Sequence, residues 1–168
     1  MTALVNLSIT PVRPSDASGL VDLFDRSSET TRRDRFHGTL RDFPASYLDD
    51  IVHGHAVVAR VVRDLVSDPS GGCIVALASA SLETCCRAEL AAWVVDAWQG
   101  HGVGTLVVRA VLHQLCTDGI ATAVAYVEAD NHAAFALARR VALDLGVAVS
   151  TGPVITFHLH SAREEPTT

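Results

Sequence analysis

The chain has 168 residues, 49% of them apolar and 19% charged, with a net charge of −6 at neutral pH. That is the profile of one globular domain, taken as 1–168, with enough chain to bury a core, and it excludes a disordered polyelectrolyte. The negative balance argues against general nucleic-acid or acidic-membrane binding, and no apolar run reaches the ~18 residues that a membrane span needs.

All 13 basic residues are arginine. The first eight residues have no basic stretch followed by a long apolar one, so no secretory signal is expected. Cys73, Cys85, Cys86 and Cys116 lack zinc-type spacing, and vicinal Cys85-Cys86 makes an awkward disulfide. Reduced thiols in a cytoplasmic protein are the expectation.

In chain order, Leu7 to Val12 reads as a strand stopped by Pro14. Ser15 or Asp16 can cap a helix to about Arg26, with Leu20, Leu23 and Phe24 inward. Ser27 to His37 is polar and basic, a run that ordinarily faces water. Pro44 to Val52 reads as a short helix and His55 to Val62 as a strand. Asp68-Pro69-Ser70-Gly71-Gly72 is a turn cluster, Gly72 to Leu82 the next strand, and Glu83 to Arg87 a hairpin turn. Leu90 to Val95 is another strand. Leu106, Val107, Ala110, Val111, Gln114 and Leu115 have one-face helical spacing. Ala121 to Val127 is a strand, Asn131 to about Leu143 a helix, and Val154 to His160 a last strand with Thr156, His158 and His160 on one face. The core spans about 7–160, and 161–168 is a charged tail.

Between the Leu90–Val95 strand and its helix stand Gly100, Gly102 and Gly104. A helix's first turn has free N–H groups and partial positive charge, and glycines let a phosphate approach that backbone. The alternative is a tight strand-to-helix turn with no ligand. A P-loop is excluded by the missing lysine, and a Gly-x-Gly-x-x-Gly dinucleotide fingerprint by the early third glycine.

Gln99-Gly100-His101-Gly102-Val103-Gly104 resembles Gln/Arg-x-x-Gly-x-Gly/Ala, the pyrophosphate loop of the GNAT superfamily of acyltransferases. Trp93 to Trp98 resembles that family's fourth strand and exit loop, and Asp130-Asn131-His132-Ala133-Ala134 its Asn-x-x-Ala segment. Ala88-Glu89-Leu90-Ala91 and Ser27 to Phe36 are similar to segments of bacterial protein-lysine acetyltransferases. The resemblance implies an α/β GNAT fold: a mixed, mainly antiparallel sheet, about four flanking helices, and fourth and fifth strands that splay to admit pantetheine. It implies acetyl-CoA as cosubstrate, an amine acceptor with protein lysine favoured, and Glu89 as general base. Ala92, Trp93 and Val94 would pair with pantetheine. Gln99, Gly100, His101, Gly102, Val103, Gly104 and Thr105 would hold the pyrophosphate, and Asn131 the pantetheine arm. Asn131 also reads as a plain helix cap. No nucleic acid or membrane partner is implied, and a homodimer is compatible.

Glu128 is the rival base, with Tyr126 behind it, and a surface pairing with Arg87 is the competing role for Glu89. Arg32 and Arg35 are candidates for contact with substrate or CoA phosphate. Ala138 stands seven residues after Asn131, where many GNAT enzymes carry the tyrosine that protonates the leaving thiolate, and the helix there has about one extra turn. A small-amine acetyltransferase and a catalytically weak acyl-CoA-binding module are the alternatives. His53, His55, His158 and His160 supply no convincing third ligand, so no metal is expected.

Overall fold

The computed structural model describes residues 6–62, 72–152 and 154–159. Seven strands form one sheet in the order β1-β2-β3-β4-β5-β7-β6. They are β1 (Asn6–Pro11), β2 (His55–Val62), β3 (Cys73–Thr84), β4 (Arg87–Val94), β5 (Thr122–Tyr126), β6 (Ala148–Thr151) and β7 (Val154–His158). Five helices flank it: α1 (Ala17–Arg26), α2 (Glu29–Phe36), α3 (Ala45–His53), α4 (Val103–Thr117) and α5 (His132–Leu145). The sheet is an α/β, mainly antiparallel assembly. Among the described residues only β4 and β5 run parallel, paired through Arg87↔Thr122, Ala88↔Ala123 and Glu89↔Val124.

The helices cover both faces. Trp93 packs edge-on against Phe24 of α1 and Phe36 of α2. Its neighbour Val94 lies against Gly104 of α4. Successive strand residues point to opposite faces, so α1 and α2 share one face and α4 has the other. Double coverage explains why β3 is buried without alternation from Ile74 to Ala80 and reads as a continuous apolar run.

Five aromatic rings gather on the α1 and α2 face. Phe24, Phe36, Phe43, Tyr47 and Trp93 form pairs with centroids 5.8 to 6.3 Å apart. The Trp93 indole N–H donates to Ser27 Oγ at 2.8 Å, and that hydroxyl donates to the Leu23 carbonyl at 2.8 Å. The buried polar ends are therefore satisfied.

Several expectations shift. Ser27 to His37 holds a helix, α2, which has no apolar stripe to reveal it and raises the helix count to five. A 3-10 turn, Pro14–Asp16, precedes α1; Asp16 turns back to accept from the Arg13 N–H at 2.9 Å and pairs with Arg60 at 2.6 Å. The β3–β4 hairpin turn is shorter than Glu83 to Arg87, because β3 runs on to Thr84 and β4 starts at Arg87. Strand β6 was not expected; four residues, Ala-Val-Ser-Thr, give too little pattern. Helix α5 runs through the extra turn to Leu145 and stops at Gly146 (φ 67°), whose left-handed conformation suits glycine. The last strand ends at His158. The turn cluster before Gly72, His160 and the tail lie outside the described residues. Among the described residues, no helix is long and apolar enough to cross a membrane.

Candidate active site

Strands β4 and β5 part immediately after Glu89 and Val124. From Leu90 to Val94, β4 keeps β3 on one side and has no strand on the other. A cleft of about 610 Å³ opens there. Its walls are β4, the glycine turn and the start of α4, the outer end of β5, the first turns of α5, and α2. An unpaired strand edge has backbone donors and acceptors that something must satisfy. One of them, the Val94 carbonyl, accepts from Gln99 Nε2 at 3.0 Å.

The three glycines serve different ends. Gly100 (φ 73°) and Gly102 (φ 80°) are left-handed, and a Cβ on either would meet nothing within 4 Å. Their requirement is conformational. Gly104 is a matter of space: a Cβ there would stand 2.7 Å from Leu137 Cδ1 and 3.4 Å from Val94 Cγ2. Gly102 caps α4 without any side-chain hydrogen bond, so the first-turn N–H groups of a 15-residue helix open toward the cleft.

Asp96 ties α2 to this turn. Its carboxylate accepts from the Ser28 N–H at 2.8 Å, the Ser28 hydroxyl at 2.7 Å and the Thr31 hydroxyl at 2.9 Å. Partial burial pushes the carboxyl up, but the bonds from Ser28 and Thr31 outweigh it and hold Asp96 below the usual carboxylate range. Gln99 Nε2 also reaches Thr31 Oγ1 at 3.1 Å. The polar N-terminus of α2 is thus fastened to the exit of β4.

Glu89 is exposed, borders the cleft at the point where the strands separate, and takes part in no ion pair among the described residues. Arg87 does not pair with it: its Nε donates to Glu83 at 2.6 Å. Glu128 lies 3.5 Å from His37, the left-handed C-cap of α2, and does not line the cleft; Tyr126 does. Asn131 caps α5, its Oδ1 accepting from the Ala134 N–H at 3.0 Å, while its Nδ2 donates to Asp34 Oδ2 at 3.5 Å.

Of the expected cosubstrate-binding residues, Ala92, Trp93, Val94, Gln99, Gly100, Gly102, Gly104, Thr105 and Asn131 border the cleft. His101 and Val103 do not. His101 is exposed, with Nδ1 2.7 Å from the Gln99 carbonyl, and Val103, the first residue of α4, is buried. Arg32 is spent on the fold: it stacks over Phe24 and donates to the Ser27 carbonyl. Ala138 borders the cleft with no hydroxyl to offer. Ser28, Thr31, Asp34 and His37 also border the cleft; they lie in the Ser27 to His37 segment, which the resemblance sets beside the acceptor groove as a segment and not residue by residue, whereas Asp96, which borders it too, carried no signal in the sequence. Among the described residues, no three histidine, cysteine or acidic side chains cluster to hold a metal.

Residues 6–143 match the family model described as an acetyltransferase (GNAT) domain. No curated protein matches the chain by sequence. In fold the chain is similar to the GNAT domain of S. lividans PAT, at 20% identity and TM-score 0.67 over 89% of this chain and 87% of that one. It is similar to yncA from Salmonella typhimurium, solved with its cofactor acetyl-CoA, at 15% identity and TM-score 0.67 over 95% and 99%. The ribosomal-protein-S18-alanine N-acetyltransferase from Escherichia coli is a further match, at 16% identity and TM-score 0.64 over 97% and 100%. At these identities the likeness is one of fold.

Proposed function

The chain belongs to the GNAT acetyltransferase family and is an acetyl-CoA-dependent N-acetyltransferase; we propose that its acceptor is a primary amine, protein lysine ahead of a small amine, and that Glu89 is the general base. The observation that carries this reading is the parting of β4 from β5 directly after Glu89, which places a carboxylate at the apex of the cleft.

The cleft suits the cosubstrate in its chemistry. The uncapped first turn of α4 offers N–H donors to a diphosphate, and the unpaired edge of β4 offers partners to the amides of pantetheine. Acetyl-CoA supplies the acyl group as a reactive thioester. Glu89 removes a proton from the acceptor ammonium, directly or through one water, freeing the nitrogen lone pair to form the C–N bond as the C–S bond breaks. The two walls hold the partners in line, which lowers the entropy lost on reaching that geometry. Ala138 has no hydroxyl to offer the departing thiolate, which leaves unassisted or takes a proton from water.

Ala138 also favours a second reading, a domain that binds acyl-CoA with weak or no transfer. Glu89→Gln separates them. Under the enzyme reading the variant loses turnover by about a hundredfold or more, while its acetyl-CoA affinity by calorimetry is unchanged. A wild-type protein that binds acetyl-CoA and releases no thiol with any amine tested belongs to the second reading. A fully active Glu89→Gln overturns Glu89 as the base.

A further inference from the structure

We propose that Arg35 selects the acceptor, and that the acceptor it selects carries a carboxylate close to the amine that is acetylated. This rests on the reading of Glu89 as the site where the amine is deprotonated.

Arg35 lies on α2 and borders the cleft. Its guanidinium stacks over Phe36 at 4.9 Å and over Tyr47 at 4.8 Å. Its Nη2 donates to the Tyr47 hydroxyl, and that oxygen lies 2.7 Å from Ser79 Oγ. Two rings and one hydrogen bond therefore fix a side chain that would otherwise sample many rotamers. The register sets its anchor on the sheet face that carries Glu89. Ser79 pairs with Ala91, and Ser81 pairs with Glu89. Ser79 and Ser81 project from the same face of β3, about 7 Å apart along the strand. The anchor of Arg35 and the proposed base thus share one face of the sheet.

That arginine is chemically unspent. A guanidinium has five N–H donors in a planar fork, and the hydrogen bond to Tyr47 uses one. Among the described residues it joins no ion pair, whereas Arg26, Arg60, Arg87 and Arg140 each meet a carboxylate. The other basic side chain on the cleft, His37, faces Glu128. A cleft-bordering guanidinium that lies over two rings and joins no ion pair among the described residues can receive a carboxylate in two-point contact. The same charge repels a second cation on the acceptor. Glu89 and Arg35 together fit a molecule with an ammonium at one end and a carboxylate nearby: a free amino acid, or a peptide lysine with an acidic neighbour.

The test compares acceptors in matched pairs. One pair is a set of free amino acids against their amides. The other is a lysine peptide with glutamate beside the lysine against the same peptide with glutamine. Wild-type protein is expected to favour the carboxylate form by about tenfold or more in kcat/KM, chiefly through KM. The pair that shows the preference identifies the source. Arg35→Gln should abolish the preference and Arg35→Lys should restore part of it, with acetyl-CoA affinity unchanged in both. A purely structural arginine would lower stability and leave the preference intact. Equal use of both forms by the wild type, or a preference that survives in Arg35→Gln, overturns the proposal. If the wild type acetylates no amine, calorimetry of its acetyl-CoA complex with the amino acids and their amides decides instead: selective binding of the carboxylates upholds Arg35 while the catalytic reading fails, and equal or absent binding overturns both.

Discussion

Helices α4 and α2 both border the cleft, yet different forces hold them. Helix α4 buries Val103, Gly104, Val107, Val108, Val111, Leu112 and Leu115, while α2 buries no residue fully. Helix α4 is an apolar body whose only polar demand is its N-terminus. Helix α2 is fastened by Ser28 as N-cap, by Asp96 at its first turn, and by Arg32 and Arg35 lying on aromatic rings. Burial gives energy in proportion to area, at roughly 25 cal/mol per Å². Capping bonds and exposed cation–ring contacts give about 1 kcal/mol each and compete with water. The wall assigned to the cosubstrate is therefore held by buried area, and the wall assigned to the acceptor by directed polar and ring contacts.

Truncating one buried side chain of α4 breaks this comparison hardest. Leu112 is fully buried, and Leu112→Ala should cost about 2–5 kcal/mol in chemical denaturation. Arg32→Ala, which removes a ring contact and one hydrogen bond from α2, should cost only about 1–2 kcal/mol. Equal losses would mean that α2 is as much a part of the core as α4.

At the turn between the walls, Gly102→Ala should cost about 1–2 kcal/mol, because alanine must take the left-handed conformation that glycine holds at φ 80°. A Cβ there meets no protein atom. Any loss of acetyl-CoA affinity beyond the fraction unfolded would then report a contact between that Cβ and the cosubstrate. Calorimetry on the folded variant makes the distinction.

The same contrast explains what could be read from the amino acids alone. Helix α4 was legible because apolar burial writes a 3.6-residue period into it, although the buried stripe, Val107, Val108, Val111, Leu112 and Leu115, is turned from the expected one, in which Leu106, Ala110 and Gln114 are only half-buried. The strand before it and the glycine turn were legible for similar local reasons. Helix α2, Glu-Thr-Thr-Arg-Arg-Asp-Arg-Phe, carries one apolar residue, and its partners Asp96, Phe24 and Tyr47 are distant in sequence. No local period can announce a helix held from outside. Gly104 shows a subtler limit. It looked like one more glycine cleared for a ligand, but Leu137 and Val94 occupy the place of its Cβ, a fact of packing between α4, α5 and β4. The Arg87–Glu83 pair likewise left Glu89 free for a geometric reason, the crossing of the short β3–β4 hairpin.

The smallest effect, and the one specific to α2, concerns the charge of Asp96. Hydrogen bonds from Ser28 and Thr31 favour its ionised form in the folded protein, so its folded pKa lies below its unfolded one. A depressed carboxyl contributes stability at every pH above its unfolded value, about 3.9 for aspartate, and loses it as pH falls through the lower folded value. Because the site is exposed, the contribution is less than about 1 kcal/mol. Asp96→Asn keeps the shape and removes the charge. The difference in melting temperature between wild type and variant should stay constant from neutral pH to about 4 and shrink only below that. A difference that fades already between pH 6 and 5 would show that the charge of Asp96 is not what fastens this end of α2.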